Sequence, residues 1–169
     1  MTIVGVRVPL TIAGEKKNAT AELPVGLEIR GEKDPYFWHG DFDGDGVQDT
    51  LYAVRVTSQY QADSGPIPLS LGTSEPLGSE EPLALLIQSS QKHKSYLLHR
   101  RSYFDSPIWR EVTLPVGVVR ANDAEYRGWK TAVRPLQGDG IILGTEAGID
   151  TLVYWDGLLF RWYQPPEQP

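Results

Sequence analysis

The sequence predicts an all-β domain, mainly antiparallel sheet or sandwich, with short helical turns at most. Three observations carry this. Gly and Pro supply 17 and 13 of the 169 residues, above their usual joint share of ~12%. The prolines recur along the chain and leave little room for long helices. Runs rich in Val, Ile, Leu and Tyr alternate with polar residues, as half-buried strands do. Asp156-Gly157 stands between two such runs, a strong hairpin signal. The length suits a single domain over residues 1–169.

The elements follow in order. "TIVGVRVPLTI" places Val4, Val6, Val8, Leu10 and Ile12 on one parity and reads as a strand, with "GEKKN" turning the chain. "AELPVGLEIR", residues 21–30, is a weaker strand whose Pro24 suits an edge. "TLYAVRV" reads as a half-buried strand with Tyr52, Val54 and Val56 on one parity. Residues 61–82 contain four prolines among Ser and Gly, which predicts a long flexible surface loop.

"LALLIQSSQKHKSYLLHRRSYF" has neither Gly nor Pro, and its apolar residues fall in two clumps. The reading is two buried strands joined by "SSQKHK". The alternative is a helix near 80–93, opened by "SEEP", which would make the fold α+β. "WREVTLPVGVVRA" reads as a strand pair or one bulged strand, "ANDAEYRGWK" as one helical turn, and "GIILGTE" as a strand. "DTLVYWDGLLFRWYQ" then forms a hairpin. A two-residue turn there pairs 155 with 158 and 153 with 160, so Thr151, Val153, Trp155, Leu158, Phe160 and Trp162 share a face. There is a faint internal echo: Gly40-Asp41 precedes "DTLY", and Gly138-Asp139 precedes "DTLVY".

The densest chemical signal is "DFDGDGVQDT", residues 41–50. Asp41, Asp43, Asp45 and Asp49 crowd into nine residues with Gly44 and Gly46 among them. Two unit charges ~4 Å apart repel by ~1 kcal/mol in water and ~4 kcal/mol at an effective dielectric of ~20. A cation would offset that repulsion. Calcium takes oxygen ligands from alternate residues of short loops. Asp41, Asp43 and Asp45 occupy positions one, three and five of such a loop, Gly46 the sharp turn, Val47 a carbonyl position and Asp49 position nine. Tyr52 stands where an EF-hand has its bidentate Glu, and a strand follows, so this is not an EF-hand.

The loop resembles the Asp-rich calcium loops of FG-GAP and VCBS-type repeats, which read D-x-[DN]-G-D-G-x-x-D and run straight into a strand. In those families the loop joins strands of a propeller blade. With one good copy here, a whole propeller is not expected. Together with the terminal "YWDGLLFRWYQ", the chain is also similar to small bacterial envelope proteins. The resemblance implies one structural Ca2+ held by Asp41, Asp43, Asp45, Asp49 and the Val47 carbonyl, in a β-domain, and it implies no reaction.

Function classes narrow accordingly. The absence of Cys removes disulfides, thiolate nucleophiles and zinc-thiolate sites. No G-x-S-x-G, H-E-x-x-H or Gly-rich phosphate loop occurs, so the chain is expected not to be an enzyme. His39, just before the loop, reads as a strand-end residue packing near it rather than a ligand, since calcium prefers oxygen. The net charge is −6, yet residues 91–134 carry nine Lys and Arg against four Asp and Glu. The acidic total disfavours nucleic acid. The basic middle offers Lys92, Lys94, Arg100 and Arg101 as a patch for an acidic partner protein. Five Trp and eight Tyr suit either core packing or a recognition surface for protein or sugar.

No apolar run reaches membrane-spanning length. The first residues lack the pattern of a signal peptide, though a removed one is compatible with this start. The expectation is a non-catalytic, calcium-stabilised binding domain in the periplasm or outside the cell, alternatively in the cytoplasm. It would act on a partner protein, for example as an inhibitor or immunity protein. The alternatives are a carbohydrate or cell-wall binding module, or a small hydrolase.

Overall fold

The computed structural model describes residues 23–31, 36–59, 83–91, 94–111, 113–124, 129, 133 and 137–165. These form two antiparallel sheets. The first holds β1 (Leu27–Ile29), β2 (Phe37–Gly40), β3 (Asp49–Val56), β4 (Leu83–Gln88) and β5 (Ser95–Leu98). β3 lies between β4 on one side and both β1 and β2 on the other. The second sheet runs β6 (Val116–Val119), β7 (Gln137–Leu143), β8 (Thr151–Trp155) and β9 (Phe160–Tyr163). A four-residue helix, α1 (Arg101–Phe104), and a 3-10 turn at Pro107–Arg110 join the sheets. The all-β expectation holds. No helix among the described residues is long and apolar enough to cross a membrane.

Period-two alternation builds the core between the sheets. Leu51, Ala53, Leu85, Ile87, Tyr96 and Leu98 from the first sheet meet Val116, Ile141, Leu143, Val153, Trp155 and Phe160 from the second. Phe42 from the Asp loop and Trp109 from the 3-10 turn complete it. The other face of the first sheet is buried too, at Tyr52, Val54, Val56, Ala84, Leu86 and Leu97. β3 is therefore a central strand rather than the half-buried one expected. Burial on both faces also explains "LALLIQ". Such strands lose their alternation and read as continuous apolar runs, which left a helix open. The structure closes that alternative: residues 83–88 are β4, paired with β5 as expected.

Other boundaries differ for local reasons. Among the described residues of "AELPVGLEIR", 23–30, the strand is Leu27–Ile29, because Pro24–Leu27 forms a turn with Gly26 at φ +86°. In "WREVTLPVGVVRA" the tryptophan sits in a 3-10 turn opened by Pro107, and the strand among the described residues is Val116–Val119. β2 covers Phe37–Gly40 with His39 next to its end, and β7 starts at Gln137 rather than Gly140. The strand read in residues 2–12 lies outside the described residues, as does the loop at 61–82.

The C-terminal hairpin keeps its faces and changes its register. Trp155 pairs with Phe160 and Val153 with Trp162, two residues from the expected pairing. A slip of one residue would reverse every side chain, whereas a slip of two preserves the face. The turn is four residues long. Asp156 closes it, its Oδ1 accepting from the Leu158 and Leu159 amides at 2.9 Å each. Leu158 consequently leaves the predicted core face and is 77% exposed.

Candidate metal centre

β2 ends and β3 begins as a pair, with Gly40 opposite Asp49, so residues 41–48 bridge two adjacent strands. The chain doubles back through Gly44 at φ +70° and Gly46 at φ +85°, a left-handed region that side chains disfavour. Phe42 is fully buried in the inter-sheet core and anchors the loop. Asp49, also fully buried, organises the loop backbone. Its Oδ2 accepts from the Phe42 amide at 3.0 Å and the Asp43 amide at 3.4 Å, and its Oδ1 from the Ser90 amide at 3.0 Å. Asp41 Oδ2 accepts from the Gly46 amide at 3.0 Å, and Asp45 Oδ1 from the Val47 amide at 2.8 Å.

These constraints bring one carboxylate oxygen each from Asp41, Asp43 and Asp49 within 4.8 Å of one another. Asp45 lies outside that trio, and the Val47 side chain is exposed. Two carboxylate oxygens, Asp41 Oδ1 and Asp45 Oδ2, are buried and accept no hydrogen bond among the described residues. A buried carboxylate oxygen without a donor is costly. An all-oxygen donor set, converging on one point with unused acceptors, fits a hard divalent cation.

The electrostatics agree. Burial pushes the Asp49 carboxyl up to about 6, the Ser90 amide opposes this, and the neighbouring Asp43 charge adds to it. Burial likewise raises Asp41, with repulsion from Asp45 and Asp139 contributing. The consequence for stability has a definite sign. A carboxyl raised in the folded state contributes stability that is complete below its unfolded pKa and lost as pH rises through about 6. Metal-free protein should therefore melt higher at about pH 5 than at about pH 7. Saturating calcium should reverse that order, because protons compete for the ligands. Melts of both forms across this range check it. A metal-free melting point that climbs with pH through the window would contradict the assignment of Asp49.

The remaining candidates are dispersed. His39 faces Thr50 across the β2–β3 pair, Nδ1 to Oγ1 3.2 Å, with its ring against Phe37, and has no part in the carboxylate trio. Lys94 is exposed at the start of the β5 hairpin arm. Arg100 lies over the Trp162 ring at 5.8 Å, so it is partly a packing residue. Lys92 and the side chain of Arg101 lie outside the described residues. The tryptophans serve packing. Trp109 and Trp155 are buried, Trp38 and Trp162 pack on the inter-sheet core, and Trp129 packs against Tyr163 on the outer face of the second sheet.

Sequence reasoning missed Phe42, Ser90 and Asp139. Phe42 sits at an unspecified position of the loop pattern. Ser90 holds the loop from the β4–β5 turn through its amide, and its Oγ donates to the Gln48 carbonyl at 2.6 Å. Asp139 holds it from the second sheet. The Gly-Asp echo does contain Asp139, yet the two copies are not equivalent in the fold. Gly40 ends β2 and Asp49 opens β3 directly opposite it, whereas Gly138-Asp139 lies near the start of β7, with the rest of that strand between it and Asp150. No protein-family model, curated protein or solved structure matches this chain.

Proposed function

We propose that this is a non-catalytic binding domain stabilised by one structural calcium, acting outside the cytoplasm on a partner protein. The observation that carries the reading is the convergence of one carboxylate oxygen each from Asp41, Asp43 and Asp49 within 4.8 Å, together with a buried Asp41 oxygen that accepts no hydrogen bond among the described residues. Asp45 and the Val47 carbonyl complete the ligand set in the loop pattern, whose resemblance to FG-GAP and VCBS calcium loops supports calcium over other ions. Magnesium demands a tighter octahedron and sheds water reluctantly. The hydrogen bonds support a structural role. Asp49 spends both oxygens on backbone amides from the loop and from the β4–β5 turn, so the cation would lock the chain rather than activate a substrate. Elemental analysis of protein dialysed against calcium tests the metal: about one calcium per chain is expected, and none rejects it.

An inhibitor or immunity protein is the concrete form of the partner reading, with the basic middle of the chain as its contact surface. Reversing Lys92, Lys94, Arg100 and Arg101 to Glu should slow association with an acidic partner and flatten its salt dependence. Lys94→Glu should do so without altering the melt, since exposed single charges contribute little. Arg100→Glu should also lower stability by roughly 0.5–1 kcal/mol, through loss of its contact with Trp162. Association measured by surface plasmon resonance at two salt concentrations, on a partner captured from the source cells, checks this. Rates indifferent to all four reversals discard the patch.

A further inference from the structure

The Asp loop belongs to the first sheet, yet it is held by the second. Asp41 exchanges two hydrogen bonds with Asp139, which is 98 residues away in sequence. The Asp41 amide donates to Asp139 Oδ2 at 3.0 Å, and the Asp139 amide donates to the Asp41 carbonyl at 2.7 Å. Asp139 is itself fixed from the β6 end. Its Oδ2 also accepts from Arg120 Nη1 at 2.9 Å, and its Oδ1 from the Ala121 amide at 2.8 Å. It is 9% exposed and lies outside the carboxylate trio.

The backbone around Asp139 is shaped for this contact. Gln137 pairs with Trp155 and Ile141 with Val153, so four steps along β7 span two along β8. Such a bulge re-aims side chains and terminates regular pairing. Gly138 sits in it at φ +70°, and a Cβ there would lie 2.2 Å from the Asp41 carbonyl oxygen and 2.8 Å from the Gly44 amide nitrogen. A Cβ at Gly44 would lie 3.0 Å from Gln137 Cβ. The two backbones touch at a distance only glycine permits.

We propose that Asp139 is a positioning residue for the calcium loop, and that through it the cation ties the two sheets together. This rests on the calcium reading above. The first ligand, Asp41, has its main chain clamped at both its amide and its carbonyl by a residue whose carboxylate is itself held by Arg120 and the Ala121 amide. Asp139 thus acts on the metal through Asp41 without touching it. Loop order and sheet-to-sheet contact become one equilibrium, so calcium bound by the first sheet also orders the start of β7.

Calorimetric calcium titration of wild type, Asp139→Asn and Asp139→Ala tests the positioning. Hydrogen exchange of wild type with and without calcium tests the tie. Removing a residue that orients a ligand characteristically weakens metal binding ~10–100-fold, and that loss is expected for Asp139→Ala. Asp139→Asn, keeping one acceptor oxygen, should fall between. In wild type, calcium should slow exchange of the Asp139 amide, which donates to Asp41 and carries no ligand. Wild-type affinity in either variant overturns the positioning role and leaves the calcium loop standing. Calcium binding without added protection at Asp139 overturns the tie, and this arm needs no variant to fold. A wild-type protein that binds no calcium at all removes the loop reading and this inference with it.

Discussion

A chain ending at residue 149 is expected to aggregate or remain unfolded. It lacks β8 and β9, which supply Leu152, Val153, Tyr154, Trp155 and Phe160 as buried side chains. Burying each contributes about 1.5–3 kcal/mol, so together they account for roughly 8–15 kcal/mol. That equals the entire net stability of a typical domain, ~5–15 kcal/mol. The loss also opens the core, because Trp155 and Phe160 pack against Tyr96 of the first sheet, tilted and edge-to-face, with ring centroids 5.5 and 5.2 Å away. The single substitution Phe160→Ala should cost ~3–5 kcal/mol by cavity formation. Far-UV and near-UV circular dichroism with a thermal melt check both. A soluble 1–149 fragment with a cooperative melt would show that the second sheet does not need this hairpin.

The second large effect separates two aspartates of one loop. Asp49→Ala removes a buried acceptor for three backbone amides, those of Phe42, Asp43 and Ser90. Each buried amide left unpaired costs ~1–3 kcal/mol, so the variant should be severely destabilised even without metal. Asp41→Ala loses the acceptor of the more exposed Gly46 amide and of the Asp45 amide, both within the loop itself. It should fold, melt near the metal-free wild type and show no response to calcium. Asp43→Asn should keep a weakened response, because an amide oxygen still ligates. Equal metal-free stability of Asp49→Ala and Asp41→Ala would contradict the structural role given to Asp49.

The parts of this architecture that were legible in sequence are those encoded locally. The loop's ligand spacing, its two glycines and the strand after it occupy contiguous residues, so the pattern can be read directly. The faces of β8 and β9 were legible because side-chain period survives a slip of two. The register itself was not, since Asp156-Gly157 suits both a two-residue and a four-residue turn. β4 stayed ambiguous because burial on both faces erases alternation. The grip of Asp139 on Asp41 was invisible for a different reason: it joins main-chain atoms of Asp41 to a residue 98 positions away, and no side-chain pattern marks such a contact. Phe42 was hidden in the same way, at a loop position whose side chain the ligand pattern does not constrain.

The central claim is that the Asp41–Asp49 loop holds a structural calcium, and a thermal melt tests it most directly. The protein is melted metal-free, with excess magnesium and with excess calcium. A ligand ~100-fold above its dissociation constant adds ~2.7 kcal/mol to the folded state, which in a domain of this size raises the melting point by ~5–10 °C. The account predicts that rise with calcium, a smaller one with magnesium, and its loss on adding chelator. Three superimposable curves would contradict it and leave the four aspartates as a metal-free acidic turn.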